Sequence, residues 1–88
     1  MHNEIVQAAA KKFGYVESMG KHDTGDTVLL IRRETPANPS KPYMTIRAVN
    51  RSGEVEFNHG YYDFTEAEAQ ASFRERTVFS QQCYSANV

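Results

Sequence analysis

Residues 43–58 read YMTIRAVNRSGEVEFN, and this stretch decides the fold. Apolar and polar side chains alternate along both halves, and the centre, Asn50-Arg51-Ser52-Gly53, consists of residues that favour turns. Alternation with a period of two is typical of β-strands, and a glycine-containing turn between two such runs predicts a β-hairpin. The rest of the chain is interpreted around this hairpin.

The alternation also predicts how the two arms of the hairpin pair. With a four-residue loop, Ile46 faces Phe57 on one side and Arg47 faces Glu56 on the other, so one face is apolar and one is charged. A slip of one residue would bring Phe57 to the side of Arg47 and bury an unpaired charge, which is costly. The other predicted pairs are Val49 with Glu54 and Ala48 with Val55.

Two segments before the hairpin carry clear patterns. The first, Met1 to Phe13, has an apolar stripe at helical spacing, with Asn3 as N-cap and Gly14 as the residue after the last turn. The second, Asp26 to Glu34, reads DTVLLIRRE and predicts a strand. Its four consecutive apolar residues place apolar side chains on both faces, which indicates a central strand or an outer face that another part of the chain covers.

After the hairpin, Thr65-Glu66-Ala67-Glu68 forms a capping-box motif, so a second helix is predicted to begin at Thr65 and to continue to about Thr77. The connecting segments lack periodicity. Tyr15 and Val16 predict only a short extended piece, residues 19–25 and the proline-rich residues 35–42 predict loops, and His59-Gly60 predicts a break.

The resulting order is α-β-β-β-α. We expect an α+β domain over residues 1–79, built from a three-stranded antiparallel sheet with both helices packed on one face, and a frayed tail over residues 80–88. The other face would be open to water, with an apolar patch where Val49 lies beside the first strand. Its predicted side chains are Thr45, Arg47, Val49, Glu54, Glu56 and Asn58.

The composition is that of an ordinary globular domain. Of the 88 residues 40% are hydrophobic and 24% are charged, and the net charge is -1, so no strong overall field attracts nucleic acid or an anionic membrane. Five acidic residues and no basic one lie between Glu54 and Glu68, which predicts either a solvated acidic edge or a docking surface for a basic partner. The single cysteine, Cys83, cannot form an internal disulfide, and no long apolar run is present, so a cytoplasmic location is expected.

No pattern in the sequence predicts catalysis, a cofactor or a metal site. Glu54 and Glu56 share a strand face, but an ion pair with Arg47 is favoured over acid-base chemistry. The set His59, Asp63 and Glu66 could hold a cation only if the loop fixed its geometry. Phosphate-binding and nucleophile motifs are absent, and Cys83 is read as a packing residue or an exposed thiol. We therefore expect a protein that is not an enzyme.

Recognition is the more promising class of function. Tyr61 and Tyr62 are consecutive in an extended stretch, so their rings point in opposite directions and at least one lies near the surface. The two tyrosines either pack at the junction of the hairpin and the second helix or contact a partner. We expect the domain to bind a protein partner, with a second copy of the chain as one candidate, through the open sheet face beside Val49 and the acidic residues 54–68. The predicted partner-binding residues are Arg47, Val49, Glu54, Glu56, Tyr61 and Tyr62.

The element order, with a proline-rich loop before the hairpin and a capped second helix, resembles double-stranded-RNA-binding domains. That resemblance would imply a nucleic-acid-binding module that uses Lys41, Arg47 and Arg51. The family grips phosphates with a lysine-rich start of its second helix, whereas residues 65–70 read TEAEAQ here. Because phosphate contacts supply much of the affinity for nucleic acid, the acidic start makes protein binding the preferred interpretation.

The run Gly60-Tyr61-Tyr62-Asp63-Phe64-Thr65, followed by Ala69, Phe73 and Arg76, resembles small accessory proteins from phages and plasmids. Such proteins often bind and block a host factor. The resemblance therefore implies an inhibitor-like protein-binding role. The net charge of -1, and not the resemblance, predicts that the protein does not bind membranes.

Overall fold

A computed structural model describes residues 4–77. The helices are α1 (Glu4–Lys12) and α2 (Glu66–Arg76), and the strands are β1 (Gly14–Lys21), β2 (Thr27–Arg33), β3 (Tyr43–Arg51) and β4 (Glu54–Phe64). The strands form one antiparallel sheet in the order β1-β2-β3-β4, so β1 and β4 are its edges. The α+β class with an antiparallel sheet is confirmed. The predicted tail, Cys83 and the Asn3 cap lie outside the described residues.

The sheet has four strands, so the prediction of three strands is wrong. The additional strand is β1, which pairs with β2 along its length and has a bulge between Val16 and Ser18. It occupies the region that the sequence assigned to a short extended piece and part of a loop. Gly14 is its first residue, and a Cβ there would lie 2.4 Å from the carbonyl oxygen of Arg32. Only glycine therefore fits at this junction between α1 and β1, where the backbone of Gly14 lies close to the backbone of Arg32.

The hairpin of β3 and β4 is confirmed, but its register differs by two residues. Ala48 faces Phe57 and Val49 faces Glu56, so the turn contains only Ser52 and Gly53, both with positive φ. Two-residue turns with two positive φ angles match the right-handed twist of paired strands, so such turns are favoured over longer loops. Because the shift is an even number, Phe57 keeps its predicted face although Ile46 is not its partner.

The two helices lie on opposite faces of the sheet, so the prediction of one covered and one open face is also wrong. Ala9 of α1 belongs to a buried cluster with Met44 and Ile46, which point to one face of β3. Thr45, which lies between them and points to the other face, bonds to Ser72 of α2. Thr45 is fully buried, and so it is not the exposed residue that was expected.

The central strand β2 explains why both faces are covered. Its residues Thr27–Ile31 are all buried, so apolar side chains point alternately towards α1 and towards the face of α2. A strand with apolar residues on both faces is stable only when both are shielded from water. The main core on the α1 side comprises Ala9, Leu29, Ile31, Met44, Ile46 and Ala48, with Ile5, Phe13, Val16, Val55 and Phe57 packed around it.

The start of α2 is as predicted. Thr65 is the N-cap, its hydroxyl accepts a hydrogen bond from the backbone N–H of Glu68, and the carboxylate of Glu68 accepts one from the backbone N–H of Thr65. Within residues 4–77 neither helix is long and apolar enough to cross a membrane.

Candidate functional site

The edge strand β4 is irregular at two positions. His59 and Asp63 have φ angles of 55° and 61°, and the register with β3 shifts on both sides of the pair formed by Thr45 and Tyr61. Each irregularity is a bulge with one extra residue in β4. Bulges change the direction of nearby side chains, and positive φ in residues other than glycine is uncommon. Tyr61 and Tyr62 therefore lie between the two positive-φ residues, and Tyr62 belongs to the second bulge.

The two tyrosine rings are exposed on opposite faces of this edge. Tyr61 pairs with Thr45 and therefore points to the α2 face, and Tyr62 points to the α1 face. Tyr61 is 52% exposed and Tyr62 is 43% exposed, so neither ring is part of the core. The prediction that at least one ring lies near the surface is confirmed for both.

Each ring lies against an arginine from another element. The guanidinium carbon of Arg76, in the last turn of α2, is 4.3 Å from the ring centroid of Tyr61. The guanidinium carbon of Arg33, at the end of β2, is 5.3 Å from the ring centroid of Tyr62. Both distances are within the range of cation–π attraction. Tyr61, Tyr62, Arg33 and Arg76 are called the tyrosine patch below.

The two arginines differ in how their charge is balanced. Arg33 lies 3.8 Å from a carboxylate oxygen of Asp63. Arg76 instead donates hydrogen bonds to the hydroxyl of Thr45 and to the backbone carbonyl of His59, both neutral acceptors. Burial lowers the pKa of Arg76, the nearby Arg47 lowers it further, and Tyr61 acts in the opposite direction. The guanidinium nevertheless stays protonated at any physiological pH.

The other predicted site residues do not join this patch. Arg47 donates hydrogen bonds to Asp26, at 2.9 Å and 3.2 Å, and not to Glu56 as predicted. Glu56 instead accepts a hydrogen bond from Arg51 at 3.1 Å. The two-residue turn moves Arg47 opposite Asn58, which explains both changes. Val49 is half-buried beside them, and Glu54 is exposed at the tip of the hairpin.

The acidic residues of the segment 54–68 do not form one continuous negative edge. Arg51 pairs with Glu56, Arg33 pairs with Asp63, and Glu68 is used in the helix cap. The backbone hydrogen bond from Thr65 is the main cause that lowers the pKa of the Glu68 carboxyl. The acidic residues are therefore distributed over the hairpin tip, the edge strand and the first turn of α2.

Within the described part of the chain no group of three or more His, Cys, Asp and Glu side chains is placed to hold a metal ion. His59, Asp63 and Glu66 are therefore not brought together as ligands. An open cleft with a volume of about 370 Å³ is lined by Ala10, Gly14, Tyr15, Arg32, Arg33 and Glu34.

The sequence predicted the two tyrosines of the patch but missed Arg33 and Arg76 as parts of it. Both arginines are distant from the tyrosines in the chain and reach them only because β2 and α2 pack beside β4. Arg76 was noted as part of a sequence resemblance, but no local spacing linked it to Tyr61.

Comparisons of the chain with protein-family models, with curated proteins and with solved structures gave no match.

Proposed function

We propose that this chain is a protein-binding module without enzymatic activity, and that the tyrosine patch is its contact surface. The observation that carries the proposal is the pair of exposed tyrosines between the positive-φ residues His59 and Asp63, with an arginine against each ring. Tyrosine and arginine are enriched among the residues that contribute most to binding at protein interfaces, and tyrosine offers a large contact area with only two rotatable side-chain bonds. A ring already held by a cation loses little entropy on binding.

Two features make packing within the domain a weaker explanation for the patch. Tyr61 and Tyr62 are each about half exposed, so neither residue is needed to fill the core. The bulges also place two residues in an uncommon backbone conformation on an edge strand, and such outliers cluster at functional sites. Bulges disfavour edge-to-edge pairing of sheets, so we propose contact through side chains and not by addition of a fifth strand.

The binding surface proposed here replaces the open sheet face that the sequence suggested. Either Val28 and Leu30 or Leu29 and Ile31 were expected to form an apolar patch beside Val49, but all four are at most 2% exposed. Arg47, Val49, Glu54 and Glu56 are kept only as a secondary surface at the hairpin end of the sheet. A role in a mobile genetic element, as an inhibitor of a host factor in the cytoplasm, is compatible with this proposal.

The alternative is a nucleic-acid-binding module that uses Lys41, Arg47 and Arg51. It is less well supported because Arg47 and Arg51 are each paired with a carboxylate of the chain. The first turn of α2 also carries Glu66 and Glu68, which would repel phosphates. The structure also has four strands, so its element order differs from the α-β-β-β-α order that suggested this alternative.

The test uses the full chain immobilised through one terminus. Proteins captured from a host lysate are compared between the wild type, a Tyr61→Ala/Tyr62→Ala double variant and Tyr15→Ala. Tyr15 is a matched control because its ring is 63% exposed at the other sheet edge and lies 5.6 Å from Arg32. We expect a protein retained by the wild type and by Tyr15→Ala but lost by the double variant, and a direct binding measurement with that purified protein should repeat the pattern.

Two results would overturn the proposal. One is a captured protein that binds the double variant as well as the wild type. The other is sub-micromolar binding of mixed duplex or single-stranded nucleic acid that collapses as salt is added, which is the signature of phosphate contacts. Analytical ultracentrifugation of the three proteins shows whether the retained partner is a second copy of the chain.

A further inference from the structure

Arg76 carries a charge that no carboxylate balances within residues 4–77. Arg32, Arg33, Arg47 and Arg51 each form an ion pair with a carboxylate of the chain. The two hydrogen bonds of Arg76 end on a hydroxyl and a backbone carbonyl, which are neutral. A guanidinium has five N–H donors, so three of them have no acceptor among these residues.

Partial burial of Arg76 makes its unbalanced charge costly in free energy. The side chain is half-buried between α2 and β4, with Thr45 fully buried beneath it and Tyr61 against it. A charge that is partly removed from water and not paired is costly, and an incoming anion would offset that cost. A carboxylate is well matched to the planar fork of N–H donors on a guanidinium.

Carboxylates further along β4 and at the other end of α2 favour one acidic side chain over a phosphate chain. Glu54 and Glu56 lie on the same strand as Tyr61, and Glu66 and Glu68 lie in the first turn of the helix that carries Arg76. A polyanion that followed this surface would meet several carboxylates, whereas a single acidic side chain needs only the position beside Arg76. An aliphatic or aromatic neighbour of that acidic residue could then pack on the Tyr61 ring.

We infer that the corner formed by Tyr61 and Arg76 receives an Asp or Glu side chain from a short segment of a partner protein. This inference rests on the proposed function and specifies its partner: an acidic peptide segment recognised at one charged position.

The test selects peptides from a random display library on the immobilised full chain, after removal of peptides that also bind the Tyr61→Ala/Tyr62→Ala variant. The retained peptides are expected to share one Asp or Glu position. In a synthetic copy of the best peptide, replacement of that residue by Asn or Gln should weaken binding to the unmodified chain at least about tenfold, the usual loss when a hydrogen-bonded charge is removed. This measurement requires no change to the protein, so it does not depend on the folding of a variant.

The protein side is tested with Arg76→Gln and with Arg32→Gln as matched control. Arg32 also lies over an exposed tyrosine, Tyr15, but it has its own carboxylate partner, Glu17. The Arg76→Gln variant, if circular dichroism shows that it is folded, should bind the acidic and the amide peptide equally. The Arg32→Gln variant should keep the full preference for the acidic peptide.

The outcomes separate the two proposals. Peptides that depend on the tyrosines but share no acidic position, or whose affinity is unchanged by the amide replacement, overturn the inference about Arg76 and leave the protein-binding role intact. A selection that yields no peptide dependent on Tyr61 and Tyr62 overturns both.

Discussion

The side-chain oxygens of Thr45 and Ser72 lie 2.9 Å apart, so a fully buried residue of β3 is bonded to the middle of α2. The same Thr45 hydroxyl accepts a hydrogen bond from Arg76, again at 2.9 Å. One hydroxyl group therefore holds two residues of α2 on the face of the sheet opposite α1. This contact also keeps Arg76 beside Tyr61.

The first prediction concerns this hydroxyl. Thr45→Val keeps the shape of the side chain but leaves Ser72 and Arg76 without their shared partner. We expect the free energy of unfolding to fall by about 1–3 kcal/mol, the usual cost of an unsatisfied buried polar group. Urea denaturation measures the loss. In a double-mutant cycle with Ser72→Ala the two effects should not add, and strict additivity would show that the two side chains do not interact.

The placement of α2 illustrates what local patterns could and could not predict. The run Val28–Ile31 indicated that both faces of its strand needed cover, and the structure agrees, because all four residues are buried. A pattern along one strand does not say which helix covers which face, since that choice depends on chain connections and on side chains far away in sequence. The simplest packing, with both helices on one face, was therefore wrong.

The missing strand has a similar explanation. Residues 14–21 read GYVESMGK, with two glycines and no clear alternation, so their local preference for a strand is weak. They are extended because their backbone pairs with β2. This pairing is a tertiary effect, so residues 14–21 alone do not predict it. The capping box and the hairpin, in contrast, depend on residues within a few positions of one another, and both were predicted.

The second prediction distinguishes the observed partner of Arg47 from the predicted one. Asp26→Asn leaves Arg47, whose side chain is 18% exposed, without its carboxylate. We expect a loss of about 1–3 kcal/mol, below that for a fully buried pair because the site is partly solvated. Glu56→Gln removes the same charge from an exposed pair and should change stability by no more than about 0.5 kcal/mol. If Glu56→Gln cost more stability than Asp26→Asn, the result would favour the predicted register, in which Arg47 pairs with Glu56.

The third prediction concerns the aromatic contact between Phe13, the residue after α1, and Phe57 of β4. The rings of Phe13 and Phe57 are 5.2 Å apart with an edge-to-face geometry. Because Phe57 is half-buried, Phe57→Ala should cost about 2–4 kcal/mol, somewhat less than for a fully buried ring. In a cycle of Phe13→Leu and Phe57→Leu we expect a coupling energy of about 0.5–1.5 kcal/mol. A coupling indistinguishable from zero in urea denaturation would contradict the ring contact.

The fourth prediction tests the helix cap. Thr65→Ala removes the hydroxyl that accepts the backbone N–H of Glu68 and should cost about 1 kcal/mol of unfolding free energy. Thr65→Ser keeps the hydroxyl and is the matched control, expected to stay close to the wild type. Equal losses for Ala and Ser in chemical denaturation would mean that the methyl group, and not the cap, stabilises this turn.

The last prediction is a pH dependence that arises in the same capping box. The pKa of Glu68 is lowered, chiefly by the hydrogen bond from the backbone N–H of Thr65 and against a smaller effect of burial. A carboxyl whose pKa is lower in the folded state stabilises the protein above its unfolded pKa and loses that contribution as the pH falls through the folded value. Glu68→Gln should therefore reduce stability at neutral pH and make its decline in acid shallower. Urea midpoints measured from neutral pH into the acid range test this prediction. Glu66→Gln is the control, because it makes the same charge change in the same turn of α2. Parallel curves for the wild type and Glu68→Gln would exclude Glu68 as a source of the acid sensitivity.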